Sequence, residues 1–412
     1  IVFIIAFYVV HLVTKMMTAR KDYTSLKTVT FGDESAVSPN RPASIISVLA
    51  IFMIWGAFTG SKLMPFHAPG PFIGETSFTY TAMNAAGETD GAEVIVTVYD
   101  IQSGKTPSKM KIDPGPGFAK NDTANIVAWR SGLIKVQRND VGSKEDGYKI
   151  IGINGQEIFP SSEIFIDDAR IYMTAKGTLS FTPEKGWQMQ PIWLPSPEAV
   201  WSRLVLVASE GYKTFTLAEH LGWSLLRVVV GFLAGALVGI PLGYAMGLSG
   251  WFRGWFDPIV EFMRPVPPLA LIPLVIIWFG IGEEGKIILL FLASLWIMTI
   301  SARAGVSGVN ISKIHAAYSL GASKRQIMRL VIVPNSLPEI FTGARVSMGV
   351  CWGTVVAAEL VAAQKGAGMM IINASKFQMT DLVIMGIVLI GVIGYSIDIL
   401  MRIAENYLVP WK

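Results

Sequence analysis

Three charged residues in or beside apolar stretches of this 412-residue chain are the side chains best placed to do chemistry. Glu359 lies within VVAAELVAA, where a carboxylate is costly unless it is paired or faces a wet cavity. Glu261 precedes Arg264 by about one helical turn, and Arg264 opens the proline-rich segment RPVPPLALIP. Because proline has no backbone N–H, it leaves carbonyl oxygens in a helix without their usual donor. These oxygens must accept hydrogen bonds from other protein groups or from cavity water. We interpret Glu359, Arg264 and Glu261 as candidate residues of a polar pathway, with structural or helix-end roles as the alternative.

The segment Gly280–Lys286, GIGEEGK, resembles a phosphate-binding loop by its glycine and lysine spacing. However, Ile287 occupies the position of the Ser or Thr that would hold magnesium, and no soluble strand precedes the segment. A tight turn between two apolar segments explains it better. We see no other candidate phosphate loop and no metal-ligand spacing among the four histidines, so we predict no catalytic or metal site and no bound cofactor in this chain.

The composition is that of a membrane protein. The chain is 52% hydrophobic and 16% charged, whereas soluble domains have about 25% charged residues. Its single cysteine, Cys351, lies in an apolar segment and excludes an internal disulfide. The net charge of +4 gives no nucleic-acid signal beyond a modest basic face, which a membrane protein already explains.

The N-terminal part is predicted to contain two hydrophobic helices. Residues 1–17 form an extra helix that is short of the ~20 residues needed to cross a bilayer, so we interpret it as the end of a transmembrane helix. Residues 18–43 are polar and basic, which predicts a cytoplasmic linker by the positive-inside rule. Residues 44–64 are predicted to form the first core transmembrane helix.

A change of composition then marks a β-rich insert over residues 65–190. Hydrophobic residues alternate with polar ones in 77–83 and in 92–101, as in strands with one buried face. Residues 147–159 read as two strands around an Asn-Gly turn. Counting crossings from the cytoplasmic linker places this insert outside the cytoplasm.

Residues 191–412 are predicted to form the helical core. An amphipathic helix within 193–212 is expected to lie along the membrane surface. Five hydrophobic segments follow, at 222–248, 258–281, 286–304, 337–363 and 381–405. Prolines interrupt the second of them. Counting crossings places 305–336 inside and both 281–286 and 364–380 outside, so the strongly basic loops share one face.

Between the third and fourth of these segments lies HAAYSLGASKRQIMRLVIVP, residues 315–334. Ser312 is a possible N-cap, and 314–320 reads as a short helix that Gly321 ends in the left-handed conformation. Ser323 and Gln326 fit a capping box that opens a second helix. The small residues at this corner would let another protein approach the backbone closely.

This corner resembles the coupling segment of ABC importer permeases, with the pattern E-A-A, three residues, Gly, nine residues, I-x-L-P. Ala316, Ala317, Gly321 and Pro334 match its spacing, whereas His315 replaces the Glu. Residues 257–287 and 319–363 extend the resemblance to the nitrate/sulfonate/taurine/bicarbonate family, and most strongly to its taurine branch. The resemblance covers 42–61 and nearly all of 191–412.

The resemblance implies a mainly α, polytopic type I importer fold in a bacterial inner membrane, with the β-rich insert in the periplasm. It implies a homodimer bound to two ATP-binding subunits, which carry ATP and Mg, and served by a periplasmic binding protein. The expected function is import of taurine or a related small sulfonate. Import of nitrate, bicarbonate or another alkanesulfonate is the alternative, and a secondary transporter or a membrane-anchored sensor is a weaker one.

Within the coupling helix region 312–334, one contiguous segment is implied to insert into the ATP-binding subunit. Its residues are Ile314, His315, Ala316, Ala317, Tyr318, Ser319, Leu320, Gly321, Ala322 and Ser323.

Overall fold

The computed structural model describes residues 8–9, 12–13, 16, 41–100, 106–108, 110–142 and 147–411, without the side chains of 41, 42, 361 and 362. Apart from the few positions named here, the predicted N-terminal helix over 1–17 and the linker over 18–43 lie outside the described residues. The chain divides into two compact units, Ile1–Glu198 and Ala199–Lys412. Each unit is described by itself.

The first unit contains an apolar helix, α1, Arg41–Phe58. Its 18 residues span about 27 Å at 1.5 Å per residue, close to the ~30 Å of a hydrocarbon core. Val48, Leu49 and Ile51 expose their side chains along it. The first core helix therefore covers most of the predicted 44–64, but it ends at Phe58.

The predicted β-rich insert is confirmed as a two-sheet domain. One sheet has the strand order β3-β2-β1-β5-β6 and the other β4-β9-β8-β7. The strands are β1 Gly74–Met83, β2 Thr89–Tyr99, β3 Asp122–Val127, β4 Gly132–Ile134, β5 Lys149–Ile153, β6 Gln156–Glu157, β7 Glu163–Ile166, β8 Ala169–Met173 and β9 Leu179–Pro183. Phe78 and Phe181 stack between the sheets with centroids 6.2 Å apart, in a core that excludes water.

The predicted Asn-Gly turn is also confirmed. Asn154 and Gly155 both have positive φ, 46° and 79°, between the antiparallel strands β5 and β6. A two-residue hairpin loop with positive φ at both positions matches the strand twist, and Asn-Gly favours it because both residues tolerate the left-handed region.

A buried polar cluster holds one end of the insert. The phenols of Tyr80 and Tyr148 both donate hydrogen bonds to the carboxylate of Asp140, and Lys120 N donates to the same group at 2.6 Å. Burial, together with the neighbouring Asp140 carboxylate, raises the pKa of both phenols well above the ordinary value. Both tyrosines therefore stay protonated donors and fix the 139–142 loop.

The second unit contains the rest of the helical core. After the short helix α2, Pro197–Glu210, its helices are α3 Leu217–Leu248, α4 Gly250–Met263, α5 Ile272–Phe279, α6 Glu283–Ser307, α7 Ile311–Ser319, α8 Lys324–Ile327, α9 Val333–Ala362, α10 Ala367–Lys376 and α11 Thr380–Leu408. Among the described residues, four helical stretches are long and apolar enough to cross a membrane, or five if α4 and α5 form one bent span.

Small residues bring α3 and α6 into close contact. A Cβ built on Gly235 would lie 2.6 Å from the Cβ of Ser294, and one on Gly243 would lie 2.4 Å from the carbonyl oxygen of Thr299. These glycines belong to a four-residue repeat along α3, the pattern that lets helix backbones pack closely in membranes. The close packing of α3 on α6 therefore depends on glycine at these positions, because a larger side chain would clash with α6.

The structure refines two sequence-based expectations about the helices. The segment predicted as one interrupted span, 258–281, contains a 92° bend between Gly250–Met263 and Pro268–Phe279. Prolines at 265, 267 and 268 explain the break, since they withhold backbone donors. The second finding concerns 364–380, which the crossing count places outside as a connection between two spans. It contains the helix α10, whose Met369 and Met370 are buried.

Candidate functional site

The 312–334 region forms a rigid corner between two helices. α7 starts at an N-cap, Asn310, whose side-chain oxygen accepts from Ser312 N at 2.9 Å. Ser312 is therefore not the N-cap. The Asn310 side chain accepts from the backbone N–H two residues further on, so the helix already starts at Ile311. The helix ends at Ser319 with Leu320 as its C-cap, and Gly321 adopts the left-handed conformation with φ 79°, as predicted.

Two backbone hydrogen bonds close the helix end at the corner. Gly321 N donates to Tyr318 O at 2.9 Å, and Ala322 N donates to Ala317 O at 3.0 Å. This pair is a Schellman motif, which satisfies the last carbonyls of a helix and requires a left-handed residue at the position of Gly321. The corner is thus held by the backbone rather than by long side chains.

The predicted capping box opens the next helix. Ser323 Oγ accepts from Gln326 N, and Gln326 Oε1 accepts from Ser323 N at 2.8 Å. A five-residue π-helical segment then leads into α9, where Pro334 occupies the first turn and needs no backbone donor. Lys313 Nζ donates to Asn335 Oδ1 at 2.5 Å, which ties α7 to the start of α9.

The corner has two unlike faces. Ile314, Ala317 and Ala322 pack against a small apolar cluster of Val306, Ile327 and Ile332. On the other face, Leu320 is 88% exposed and Tyr318 50% exposed. The remaining exposed members of the predicted coupling segment are His315, Ala316, Ser319, Gly321 and Ser323. The exposed basic residues around them are Lys313, Lys324, Arg325 and Arg329. The arrangement presents an apolar tip on a fixed frame within a basic surround.

Glu359 lies in a closed ion-pair network rather than on an open cavity. Its carboxylate is buried, and Oε1 accepts from Arg227 Nη1 at 2.6 Å and from Ser224 Oγ at 2.7 Å. Its other oxygen, Oε2, accepts from Gly368 N at 2.9 Å. The ion pair joins α3 and α9 across 132 positions of the chain.

Arg227 is the centre of this network. Its guanidinium also donates to both carboxylate oxygens of Glu283, from Nε at 2.5 Å and Nη2 at 2.8 Å. Nη1 donates in addition to the carbonyl oxygen of Lys365 at 3.0 Å. Lys286 Nζ reaches Glu283 at 3.0 Å. We name the set Arg227, Glu359, Glu283 and Lys286 the buried network. It joins α3, α6 and α9, and Glu283 is the member whose side chain is 41% exposed.

The 366–368 segment completes the surroundings of Glu359. Gly366 N donates to the ring of His220 at 3.1 Å, and Ala367 N donates to Ser224 Oγ at 2.9 Å. A Cβ on Gly366 would lie 2.4 Å from the Glu359 carboxyl carbon. Glycine is therefore required where the backbone closes over the carboxylate.

Arg264 and Glu261 lie elsewhere, on the exposed side of α4. Their side chains approach to 3.7 Å, and Glu261 also accepts from Arg303 Nη2 at 3.0 Å. Arg303 makes a further ion pair with Asp257. The structure does not bring Arg264 and Glu261 into the buried network with Glu359.

The sequence that resembles a phosphate loop forms a turn instead. Gly280 has φ 73° and ends α5, and Gly282 is the N-cap of α6. Lys286, the lysine of the pattern, is buried and paired with Glu283. This geometry leaves no exposed lysine at the turn for a phosphate.

Comparison with known proteins decides the family. Residues 235–408 match the family described as "Binding-protein-dependent transport system inner membrane component". The chain is 47% identical to the taurine transport system permease protein TauC of Escherichia coli K12, over 54% of this chain and 82% of that protein. The chain belongs to this family of importer permeases. The predicted resemblance is thereby confirmed.

Two further relatives show how wide the match is. The putative aliphatic sulfonates transport permease protein SsuC of Escherichia coli K12 is 37% identical, over 55% of this chain and 84% of that protein. The nitrate import permease protein NrtB of a Synechocystis strain is 32% identical, over 45% of this chain and 68% of that protein. The chain is thus a permease subunit, a transporter component rather than an enzyme, in the taurine, sulfonate and nitrate group.

Membership has consequences for partners and for the alternatives. It implies a partner ATPase and a substrate-binding protein. Membership in this family also rules against the alternatives of a secondary transporter and a membrane-anchored sensor. The sequence indicates that Glu359 is unusual but does not show that Arg227 is its partner. The one sequence signal for Arg227 is its position, since it is an arginine within the apolar helix α3.

Proposed function

We propose that this chain imports taurine or a related small sulfonate and that residues 314–323 couple its movement to the partner ATPase. The observation that supports the coupling role is that Leu320, at the tip of the corner, is exposed although the backbone around it is held by the Schellman motif. A large apolar side chain on a rigid, solvent-facing frame is stabilised when a partner covers it. Family membership implies a partner ATPase, and we propose that Leu320 inserts into a groove of that subunit.

The coupling proposal is tested by Leu320→Glu in the full chain, co-expressed with the importer's ATP-binding subunit. We expect the thermal midpoint of the isolated permease to be unchanged, because the side chain touches solvent. We expect co-purification of the ATP-binding subunit and binding-protein-stimulated ATP hydrolysis to be lost.

Ile311→Glu is the matched control for Leu320→Glu. Ile311 is an aliphatic residue that is 62% exposed at the other end of α7, outside the 314–323 segment. The control should retain the ATP-binding subunit. Equal retention in both variants would remove the coupling role from Leu320.

The substrate proposal is supported by the relatives' names, since identity is higher to the taurine permease than to the sulfonate and nitrate permeases. Uptake of radiolabelled taurine by the complete importer in proteoliposomes tests it directly. Competition by excess unlabelled taurine and by a short alkanesulfonate, but not by nitrate, is the expected result. Uptake that nitrate alone suppresses would assign the chain to the nitrate importers instead.

The pathway roles of Glu359, Arg264 and Glu261 stay predictions. In this conformation Arg227 covers Glu359, so a substrate reaches the carboxylate only after the ion pair separates. We propose that this separation accompanies reorientation of α3 and α9. Taurine is a zwitterion. Its ammonium could replace Arg227 beside Glu359, and its sulfonate could replace Glu359 beside Arg227.

Homodimer formation, the bacterial inner membrane and the periplasmic side of the insert are also part of the proposal. Family membership and the apolar helices support the membrane. The crossing count from the basic segments supports the side of the insert. Protease access to the insert in intact spheroplasts distinguishes the two sides. A membrane-impermeant thiol reagent does the same with a cysteine introduced into the insert, since the native Cys351 lies outside it and is buried.

A further inference from the structure

The base of the β-rich insert carries large apolar side chains that nothing in the first unit covers among its described residues. Two connecting segments, 59–73 and 184–196, join the sheets to the neighbouring helices. Trp187 is 78% exposed, Trp193 72%, Leu63 67% and Phe66 52%. We name these four residues the aromatic collar. Patches of this kind on a soluble surface mark an interaction site.

The collar is held at the end of the apolar helix α1. Trp55 Nε1, in the last turn of α1, donates to Pro195 O at 2.9 Å. Met189 N donates to Phe58 O at 2.8 Å, and Ala68 N donates to Ala57 O at 3.0 Å. Both connecting segments are therefore fixed to the same helix end.

The two connecting segments are also fixed to each other. Gly186 has φ 62°, and a Cβ there would lie 2.2 Å from Gly70 O. The carboxylate of Glu198 accepts from Ser61 Oγ and from Lys62 N, both at 2.7 Å. The exposure of the collar is thus a property of an ordered frame and not of a loose loop.

The position along the molecule identifies the occupant. α1 is an apolar helix with exposed aliphatic side chains, and the collar follows it without a break. Tryptophan prefers the boundary between lipid headgroups and acyl chains, where its ring is in an apolar medium and its N–H is wet. The opposite end of the insert is polar, with Asn84 and Glu88 bonded to each other at the β1–β2 turn.

We propose that the aromatic collar inserts into the lipid interface at the end of α1 and holds the β-rich insert upright on the membrane. β1 starts near the collar at Gly74 and runs away from it for about 30 Å at 3.3 Å per residue. The β1–β2 turn would then stand about that far from the lipid. This inference depends on neither the substrate nor the ATPase.

Site-directed spin labelling of the full chain in lipid nanodiscs tests the proposal. Trp187→Cys, Trp193→Cys and Leu63→Cys each place a nitroxide in the collar, and the parent chain measures background from the buried Cys351. Relaxation by oxygen, which concentrates in lipid, is compared with relaxation by a water-soluble nickel chelate. We expect oxygen to be the stronger relaxant at all three positions.

Val141→Cys is the matched control for the collar positions. Val141 is apolar and 63% exposed, and its backbone N bonds to Phe118 O at the end of the insert far from the collar. There the nickel chelate should be the stronger relaxant. Collar labels that nickel reaches as readily as position 141 would overturn the proposal, and so would labels shielded from both reagents, since protein would then cover them. Three separate positions keep the test valid if one variant misfolds.

Discussion

The buried network and the 312–334 corner are both held by hydrogen bonds, but they differ in what they leave exposed to solvent. In the network, Arg227 and Glu359 are buried, and their charged atoms are bonded to neighbouring helices. In the corner, the backbone is satisfied but Leu320 projects into solvent. The charged groups of the network have partners within the chain, whereas Leu320 at the corner is exposed to solvent.

This difference predicts that substitutions in the two regions affect different properties of the protein. A buried charge that loses its partner is expensive because it stays desolvated, so substitutions in the network should act on folding. An exposed apolar tip contributes little to the fold, so substitutions there should act on assembly. Three variants sharpen or break the distinction, in order of the expected loss of stability.

Arg227→Met should have the largest effect. It leaves the carboxylates of Glu359 and Glu283 without the guanidinium, and we expect a loss of about 3–5 kcal/mol. The thermal midpoint in detergent measures it. Arg264→Met is the control, since that arginine is exposed in a 3.7 Å pair and should change stability by less than about 1 kcal/mol. Equal losses in the two variants would break the comparison.

Glu359→Gln should have a smaller effect, because Arg227 keeps its two hydrogen bonds to Glu283. We expect a loss of about 1–3 kcal/mol, since the amide cannot accept from both Arg227 and Gly368. Uptake per folded complex is measured beside the thermal midpoint. Reduced uptake by an assembled variant supports the pathway role, and wild-type uptake by it rejects that role.

Gly321→Leu should have the smallest effect on stability and a large one on coupling. A Cβ there meets nothing within 4 Å, so the cost is the positive φ alone, about 1–2 kcal/mol. ATP hydrolysis stimulated by the binding protein should nevertheless be lost if the proposed coupling role holds, because the new side chain would then block the approach of the ATPase.

Gly280→Leu is the control for Gly321→Leu. Gly280 also has positive φ and open space around a built Cβ, and its ψ of −170° makes it at least as strained. Coupled hydrolysis should survive in this variant. If both variants lose hydrolysis equally, strain rather than the corner accounts for the loss.

Features that depend on neighbouring residues could be predicted from the sequence. Gly321 ends a helix and Ser323 with Gln326 starts another because these motifs act over three or four positions. Alternation in β1 and β2 and the Asn154-Gly155 turn are local in the same sense. The long apolar segments follow from composition alone.

The tertiary structure decided what depends on distant residues. The partner of Glu359 is Arg227 on another helix, and no periodicity connects two such positions. The helix α10 was missed because its small and sulfur-containing residues are stabilised by packing on neighbouring helices rather than by a strong helical pattern. The 92° bend shows the same limit, since prolines indicate a break but only packing sets its angle.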